Sequence, residues 1–264
     1  MERHFRLATA ADIPEMKALW KLCFPEDEEG FIQRFFEKTP ATTGLLACKG
    51  EILAMLFLLP AQVVAGGQSI PVRYLYAGCT HPAHRGQGIY PALMEYAAQH
   101  AATMGAEAIY LCPASASLAV YYHRLGYRDG IGCWERRAET VDTSACRTEV
   151  TVTAYFEARR HFLPENRLVW QLEEPFERFF LEEMVRDGWS PVIGDSGCGV
   201  LSADGRVGYD RLTADSTFMH APLVCGADNS GTWRNTALWL PLGSTGLVAL
   251  MGNNKAYTAF LGDI

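Results

Sequence analysis

Over the first 140 residues the apolar positions repeat with two different periods, and each change of period marks a new element. His4 to Leu7 reads as a short extended start. Thr9-Ala10-Ala11-Asp12 has the spacing of a capping box, whose hydroxyl and carboxylate satisfy the first free amides of a helix. Ile13, Met16, Trp20 and Cys23 then follow at helical spacing, predicting an amphipathic helix with one buried face that Pro25 stops. A second helix is predicted over about 28–38, with Phe31, Phe35 and Phe36 turned inward. The period then becomes that of strands: 43–48, the turn Lys49-Gly50, 52–64, the turn Gly66-Gly67, and 70–80. Glycine at these turns reaches positive φ without steric cost, so a meander of antiparallel strands is expected.

From Gly88 the helical period returns, with Ile89, Leu93, Ala97, Ala101 and Met104 on one face and Gly105 as the stop. A buried strand at 108–112, a helix at 117–125 and a strand from Tyr127 to about residue 137 complete the pattern. Strands on both sides of a helix predict an α/β (α+β) mixed, mostly antiparallel sheet flanked by helices. The polar stretch 138–144 reads as a linker, which divides the chain into residues 1–140 and a smaller α+β domain at 147–264. In that second part, 149–156 reads as a strand and Phe176, Phe179, Phe180 and Met184 mark a helix ending at Gly188. Residues 200–212 read as a hairpin around Ala203-Asp204-Gly205, followed by short strands and turns without a fixed-period repeat.

Composition narrows the function classes. The 264 residues carry a net charge of -7, which argues against a sequence-independent nucleic-acid binder but permits a local basic pocket for one anion. The most apolar run, 52–65, is broken by Pro60 and Gln62 and is too short for a bilayer, and the N-terminus lacks the apolar core of a signal peptide. The 8 cysteines include no CxxC pair and no histidine at zinc-ligand spacing, as expected of free thiols in a reducing cytoplasm. His81, His84 and His123 are accordingly read as surface or supporting residues, with no metal expected. Gly194-Asp195-Ser196-Gly197 imitates a serine-nucleophile loop, but Cys198 breaks the pattern and a turn is expected instead.

The informative stretch is Gly78-Cys79-Thr80-His81-Pro82-Ala83-His84-Arg85-Gly86-Gln87-Gly88-Ile89-Tyr90-Pro91. A strand ends, a glycine-rich loop follows and a helix opens. Such a loop offers backbone amides and the positive end of a helix dipole to an anion, and Arg85 adds fixed charge. A diphosphate suits it. It is not a Walker loop, since no Gly-Lys-Ser/Thr is present, and its glycine spacing differs from the dinucleotide fingerprint. A bare strand-to-helix turn with incidental glycines is the alternative.

Arg85-x-x-Gly88 at this junction resembles motif A of the GNAT acetyltransferase superfamily. Tyr122-His123-Arg124-Leu125-Gly126-Tyr127 resembles its second hallmark, Tyr-x-x-x-Gly-Phe, and also the Tyr-x-x-Phe-Gly-Tyr of the enhanced-intracellular-survival subgroup. The separation of the motifs and the element order from residue 4 to about 137 match as well. Tyr90 stands where most members have Gly or Ala, and the asparagine common before the second motif is replaced by Ser115 or Ser117 as nearest polar residues.

The resemblance implies N-acetyl transfer from acetyl-CoA to a primary amine, small molecule or peptide, by direct attack in a ternary complex. It implies a pyrophosphate on the amides of Arg85, Gly86, Gln87, Gly88, Ile89 and Tyr90. The pantetheine arm would pair with backbone at Cys79 and Thr80, near an oxyanion-stabilising amide. Tyr122 would be the acid that protonates the leaving thiolate, the alternative for it being a packed core aromatic. Two candidates for the base stay open. One is the acidic loop Glu26-Asp27-Glu28-Glu29, otherwise a solvated start to the next helix. The other is the carboxylate of Ile264, since the C-terminus enters the active site in the longer survival-type chains. The C-terminal domain would complete or cover the acceptor cleft, and could itself be a partial GNAT-like fold. A non-catalytic acyl-CoA-binding or regulatory module is the rival reading, with hydrolysis or another nucleophile third. The sequence does not fix the acceptor or the oligomeric state.

Overall fold

The computed structural model describes residues 2–136, 146–163, 167–205, 207–213, 223–226, 232–243, 245–252 and 255–258. The predicted linker and Ile264 lie outside them. The chain groups into two compact units. The first comprises residues 1–61, 71–111 and 240–244; the second comprises 62–70, 112–239 and 245–264.

In the first unit, β1 (His4–Leu7) pairs antiparallel with β2 (Gly44–Cys48), and β2 with β3 (Ile52–Ala65). Next in order come β4 (Gln68–Thr80) and β5 (Ala108–Leu111), which run parallel to each other, so the sheet is mixed. The capping box opens a single 3₁₀ turn rather than the α-helix directly. The Asp12 carboxylate accepts from Thr9 N at 2.7 Å and from Arg6 at 2.6 and 2.8 Å, and this Arg6 hydrogen bond holds it below the usual carboxylate range. Helix α1 (Ile13–Cys23) buries Met16, Leu19 and Trp20, and α2 (Glu29–Lys38) buries Ile32, Phe35 and Phe36. Their aromatics meet Phe57 and Tyr76 around Trp20, at centroid distances of 5.0 to 5.9 Å. Helix α3 (Ile89–Thr103) buries Ile89, Leu93, Ala97 and Ala101 as predicted, but ends one residue before Met104, which is left exposed.

The second unit holds α4 (Ala116–Arg124), β6 (Arg128–Arg136), α5 (Val152–Phe162), β7 (Val169–Leu172) and α6 (Glu174–Arg186). These are followed by β8 (Ser190–Gly194), β9 (Gly197–Leu201), β10 (Val207–Thr213), β11 (Leu223–Gly226), β12 (Thr232–Pro241), α7 (Thr245–Met251) and β13 (Ala256–Thr258). The order β12-β6-β11-β10-β9-β8 mixes parallel and antiparallel neighbours, and β13 runs parallel to both β6 and β7. The hairpin predicted at 200–212 is β9–β10, and Asp195-Ser196 is the turn between β8 and β9. The strand expected at 149–156 is instead the start of α5. Thr151 caps it by accepting Ala154 N at 3.2 Å, and Tyr155, Phe156 and Arg159 then share one buried face. Periodicity over eight residues cannot separate the two cases when the cap is a single β-branched residue.

Helices α5 and α6 close over a buried charged network. Asp210 accepts from Tyr155 Oη at 2.5 Å, Arg159 Nε at 2.6 Å and Tyr257 Oη at 2.7 Å. Arg159 Nη1 reaches Gln171 at 3.0 Å and Glu177 at 3.2 Å. Trp239 is buried and donates to the Asp129 carbonyl at 3.1 Å, while Trp233 meets Trp134 edge to face at a centroid distance of 4.5 Å.

Candidate active site

The junction from β4 to α3 is built from local constraints. A 3₁₀ turn at Pro82–His84 is capped by His81, whose Nδ1 accepts Ala83 N at 3.2 Å. Arg85 is extended, and Gly88, the residue before α3, has φ 68. This left-handed conformation favours glycine and lets the chain enter the helix with its amides facing out of the turn. The amides of Gly86, Gln87, Gly88 and Ile89 have no hydrogen-bond partner among the described residues. Pro91 offers none. Residues Arg85 to Gly88 are exposed, so the donors of Gly86, Gln87 and Gly88 face solvent beside the dipole's positive end.

Tyr90, the departure from the usual motif, is accommodated by Gly78. A Cβ on Gly78 would lie 1.9 Å from Tyr90 Oη, so the hydroxyl rests directly on the strand backbone. The larger residue is therefore folded over β4, while the amides before it stay exposed.

The end of β4 is irregular. Its ladder with β5 registers Arg73 with Ile109 and Tyr74 with Tyr110, and at Ala77 the chain takes φ 46. A positive φ at a non-glycine residue interrupts the pleat just before Cys79 and Thr80. The Thr80 carbonyl accepts from Arg85 Nε at 3.2 Å and from the Cys23 thiol at 3.5 Å. Arg85 and Cys23 thus meet at the carbonyl of Thr80, the residue after Cys79. Cys23, at the last position of α1, was visible in the sequence only as a helix-face residue.

The second motif stands in the other compact unit. Tyr122 is 8% exposed, with Tyr121 and Tyr127 at centroid distances of 5.4 and 5.6 Å. Burial and Tyr122 together push the Tyr127 phenol well above its ordinary range. Gly126 has φ 90, which ends α4 and lets Tyr127 N return to the Tyr122 carbonyl at 3.2 Å. Ser115 caps α4, accepting Leu118 N at 3.2 Å, and its hydroxyl meets that of Ser117 at 2.9 Å.

Of the acidic loop, Asp27 accepts Trp20 Nε1 at 2.6 Å, while Glu26, Glu28 and Glu29 are exposed at the start of α2. His84 approaches Glu51 at 3.5 Å and His123 approaches Asp129 at 3.4 Å. Among the described residues, no three His, Cys, Asp or Glu side chains gather as metal ligands. Nor is any described helix long and apolar enough to cross a membrane.

Comparison with known proteins decides the family. The profile of the acetyltransferase (GNAT) domain matches residues 4–130. This part of the chain is a GNAT domain. By family it is an acetyltransferase, and the match spans both motifs. No curated protein sequence matches the chain. Solved structures extend the likeness of fold beyond the GNAT domain. A GCN5-related N-acetyltransferase from Anabaena variabilis is 16% identical with a TM-score of 0.66, over 92% of this chain and 73% of that one. Eis1 from Mycobacterium abscessus is 12% identical with a TM-score of 0.68, over 94% and 75%. A probable N-acyltransferase from Enterococcus faecalis is 13% identical with a TM-score of 0.67, over 92% and 73%. At these identities the likeness is one of fold, and it runs through the C-terminal half as well.

Proposed function

We propose that the chain transfers an acetyl group from acetyl-CoA to a primary amine, on a small molecule or a peptide, by direct attack in a ternary complex. The observation that carries this reading is the row of unpartnered amides from Gly86 to Ile89, beside Arg85, at the β4–α3 junction of a GNAT domain. Four donors and a guanidinium offer the hydrogen bonds and positive charge that linked phosphates take up.

In this reading Arg85, Gly86, Gln87, Gly88, Ile89 and Tyr90 hold the pyrophosphate. The irregular end of β4 at Cys79 and Thr80 lines the pantetheine, and an amide there steadies the oxyanion. Tyr122 donates the proton to the departing thiolate. Ser115 serves chiefly by capping α4, with Ser117 the freer of the two hydroxyls toward the cofactor. With Asp27 held by Trp20, a base from the acidic loop falls to Glu26, Glu28 or Glu29. The free thiols suit a reducing cytoplasm. Residues 1–140 form the acetyl-CoA-binding domain in this reading, and residues 147–264 form the smaller domain that completes or covers the acceptor cleft.

Calorimetry with coenzyme A and a thiol-release assay over a panel of amines test it. Arg85→Ala is expected to weaken coenzyme A binding by about tenfold or more, as loss of a charged contact does. Tyr122→Phe is expected to lower turnover by about 10²-fold or more with binding retained. Absence of coenzyme A affinity in the wild-type protein would refute the reading. Binding without turnover on any amine, unchanged by Tyr122→Phe, would support a regulatory module instead.

A further inference from the structure

The peptide unit between Thr80 and His81 is held from both sides, where β4 gives way to the Arg85 loop. Its N–H, on His81, donates to the Leu53 carbonyl of β3 at 2.9 Å. The N–H and C=O of a planar trans peptide point in opposite directions, so the Thr80 carbonyl faces away from that bond. There it accepts twice, from Arg85 Nε at 3.2 Å and from Cys23 Sγ at 3.5 Å. Its orientation is not set by the ladder with β5, whose registered pairs are Arg73 with Ile109 and Tyr74 with Tyr110, and Ala77 then breaks the pleat at φ 46. Two side chains orient it instead. Arg85 comes from the loop that follows, and Cys23 from the end of α1, 57 residues away along the chain.

We propose that Cys23 is a positioning residue for the phosphate-binding guanidinium, acting through the Thr80 carbonyl. The proposal rests on the acetyl-CoA reading of the Arg85 loop. A carbonyl oxygen offers two lone pairs, and here each donor takes one. Arg85 is exposed, so its bond alone leaves carbonyl and guanidinium free to swing together at the end of the strand. Cys23 is half-buried at the last position of α1, a helix anchored by Met16, Leu19 and Trp20, and its thiol ties the carbonyl to that rigid element. Anchoring Arg85 through Nε leaves the edge formed by Nη1 and Nη2 for two phosphate oxygens, the bidentate geometry that suits a guanidinium. Holding a long side chain in place before the ligand arrives also reduces the ordering entropy lost on binding.

The test is a double-mutant cycle between positions 23 and 85, read by calorimetry with coenzyme A, with urea midpoints to establish folding. A pH of about 6.5 keeps the thiol in its donating form. Cys23→Ala removes the donor and should weaken coenzyme A binding about three- to tenfold, the range of one lost hydrogen bond. Cys23→Ser retains a donor and should bind within about twofold of the wild type. In the Arg85→Ala background Cys23→Ala should change affinity by less than about twofold, because the group it positions is gone. Should Cys23→Ala not fold, Cys23→Val is the donor-free replacement. Wild-type affinity in the donor-free variant, a serine no better than alanine, or a loss that persists undiminished without Arg85 would each overturn the positioning role while leaving the acetyl-CoA reading intact. A wild-type protein that does not bind coenzyme A would overturn both.

Discussion

Gly78→Ala is the substitution whose outcome the structure fixes most narrowly. The added Cβ would sit 1.9 Å from Tyr90 Oη, 2.9 Å from Tyr90 Cζ and 3.2 Å from Leu75 Cδ2. Ordinary contact needs about 3.5 Å, so the hydroxyl is too close by well over an ångström and must move. The backbone raises no objection, because Gly78 is absent from the left-handed conformations found elsewhere in the chain. Alanine there should even gain about 0.4–1 kcal/mol by stiffening the unfolded chain. Against this stands an overpacking cost of about 1–3 kcal/mol, for a net loss of roughly 1–2 kcal/mol. The displaced ring belongs to the first turn of α3, so coenzyme A binding should weaken as well.

The assay is a double-mutant cycle with Tyr90→Ala, read by urea unfolding and by coenzyme A calorimetry. In the Tyr90→Ala background the alanine at position 78 meets neither atom of the phenol, and its cost should vanish or turn into a small gain. The expected coupling is about 1–3 kcal/mol, within the range for residues in direct contact. Equal costs in both backgrounds, or a neutral Gly78→Ala in the wild-type chain, would refute the packing argument.

The second unit supplies the remaining tests. Asp210→Asn keeps a residue tolerant of its φ of 48 but strips the counter-charge from buried Arg159, and should cost about 3–5 kcal/mol. Arg159→Met should cost a similar amount, and the double variant less than the two together; calorimetric unfolding reads all three. Glu177 is held up to about 7 by burial, with Arg159 pulling it down and Asp210 and Glu174 pushing it up. With its folded value above its unfolded one, its contribution is full below the ordinary carboxylate range and is lost as pH rises through about 7. Urea midpoints from about pH 5 to about pH 8 should therefore fall less steeply for Glu177→Gln than for the wild type. Thr151→Ala should cost about 1 kcal/mol through the lost cap of α5, measurable as a lower unfolding midpoint; no change would mean the cap is not what starts that helix.

Much of the candidate site could be read before any coordinates because its parts are local. The Arg85 loop is contiguous, its glycines stand where the chain turns, and its donors belong to the backbone. The Tyr122 segment likewise carries its own stop in Gly126. The elements of residues 4–136 follow from caps, turns and short-range periods, which act between residues a few positions apart. The start of α5 is not legible in the sequence, because one threonine cap and eight residues hold too little periodic information.

What the sequence determined by itself is the succession of elements in the GNAT domain and the presence of an anion-binding turn, since both arise from interactions along a short stretch of chain. Only the tertiary structure decided that Tyr90 lies over Gly78, that Cys23 reaches the Thr80 carbonyl, and that Arg159 meets Asp210. Each of these pairs is joined by packing of separate elements, and residue types alone do not say which distant side chains a fold will bring into one low-dielectric place. The energetic consequences of burial, such as the raised Glu177, arise at that same step.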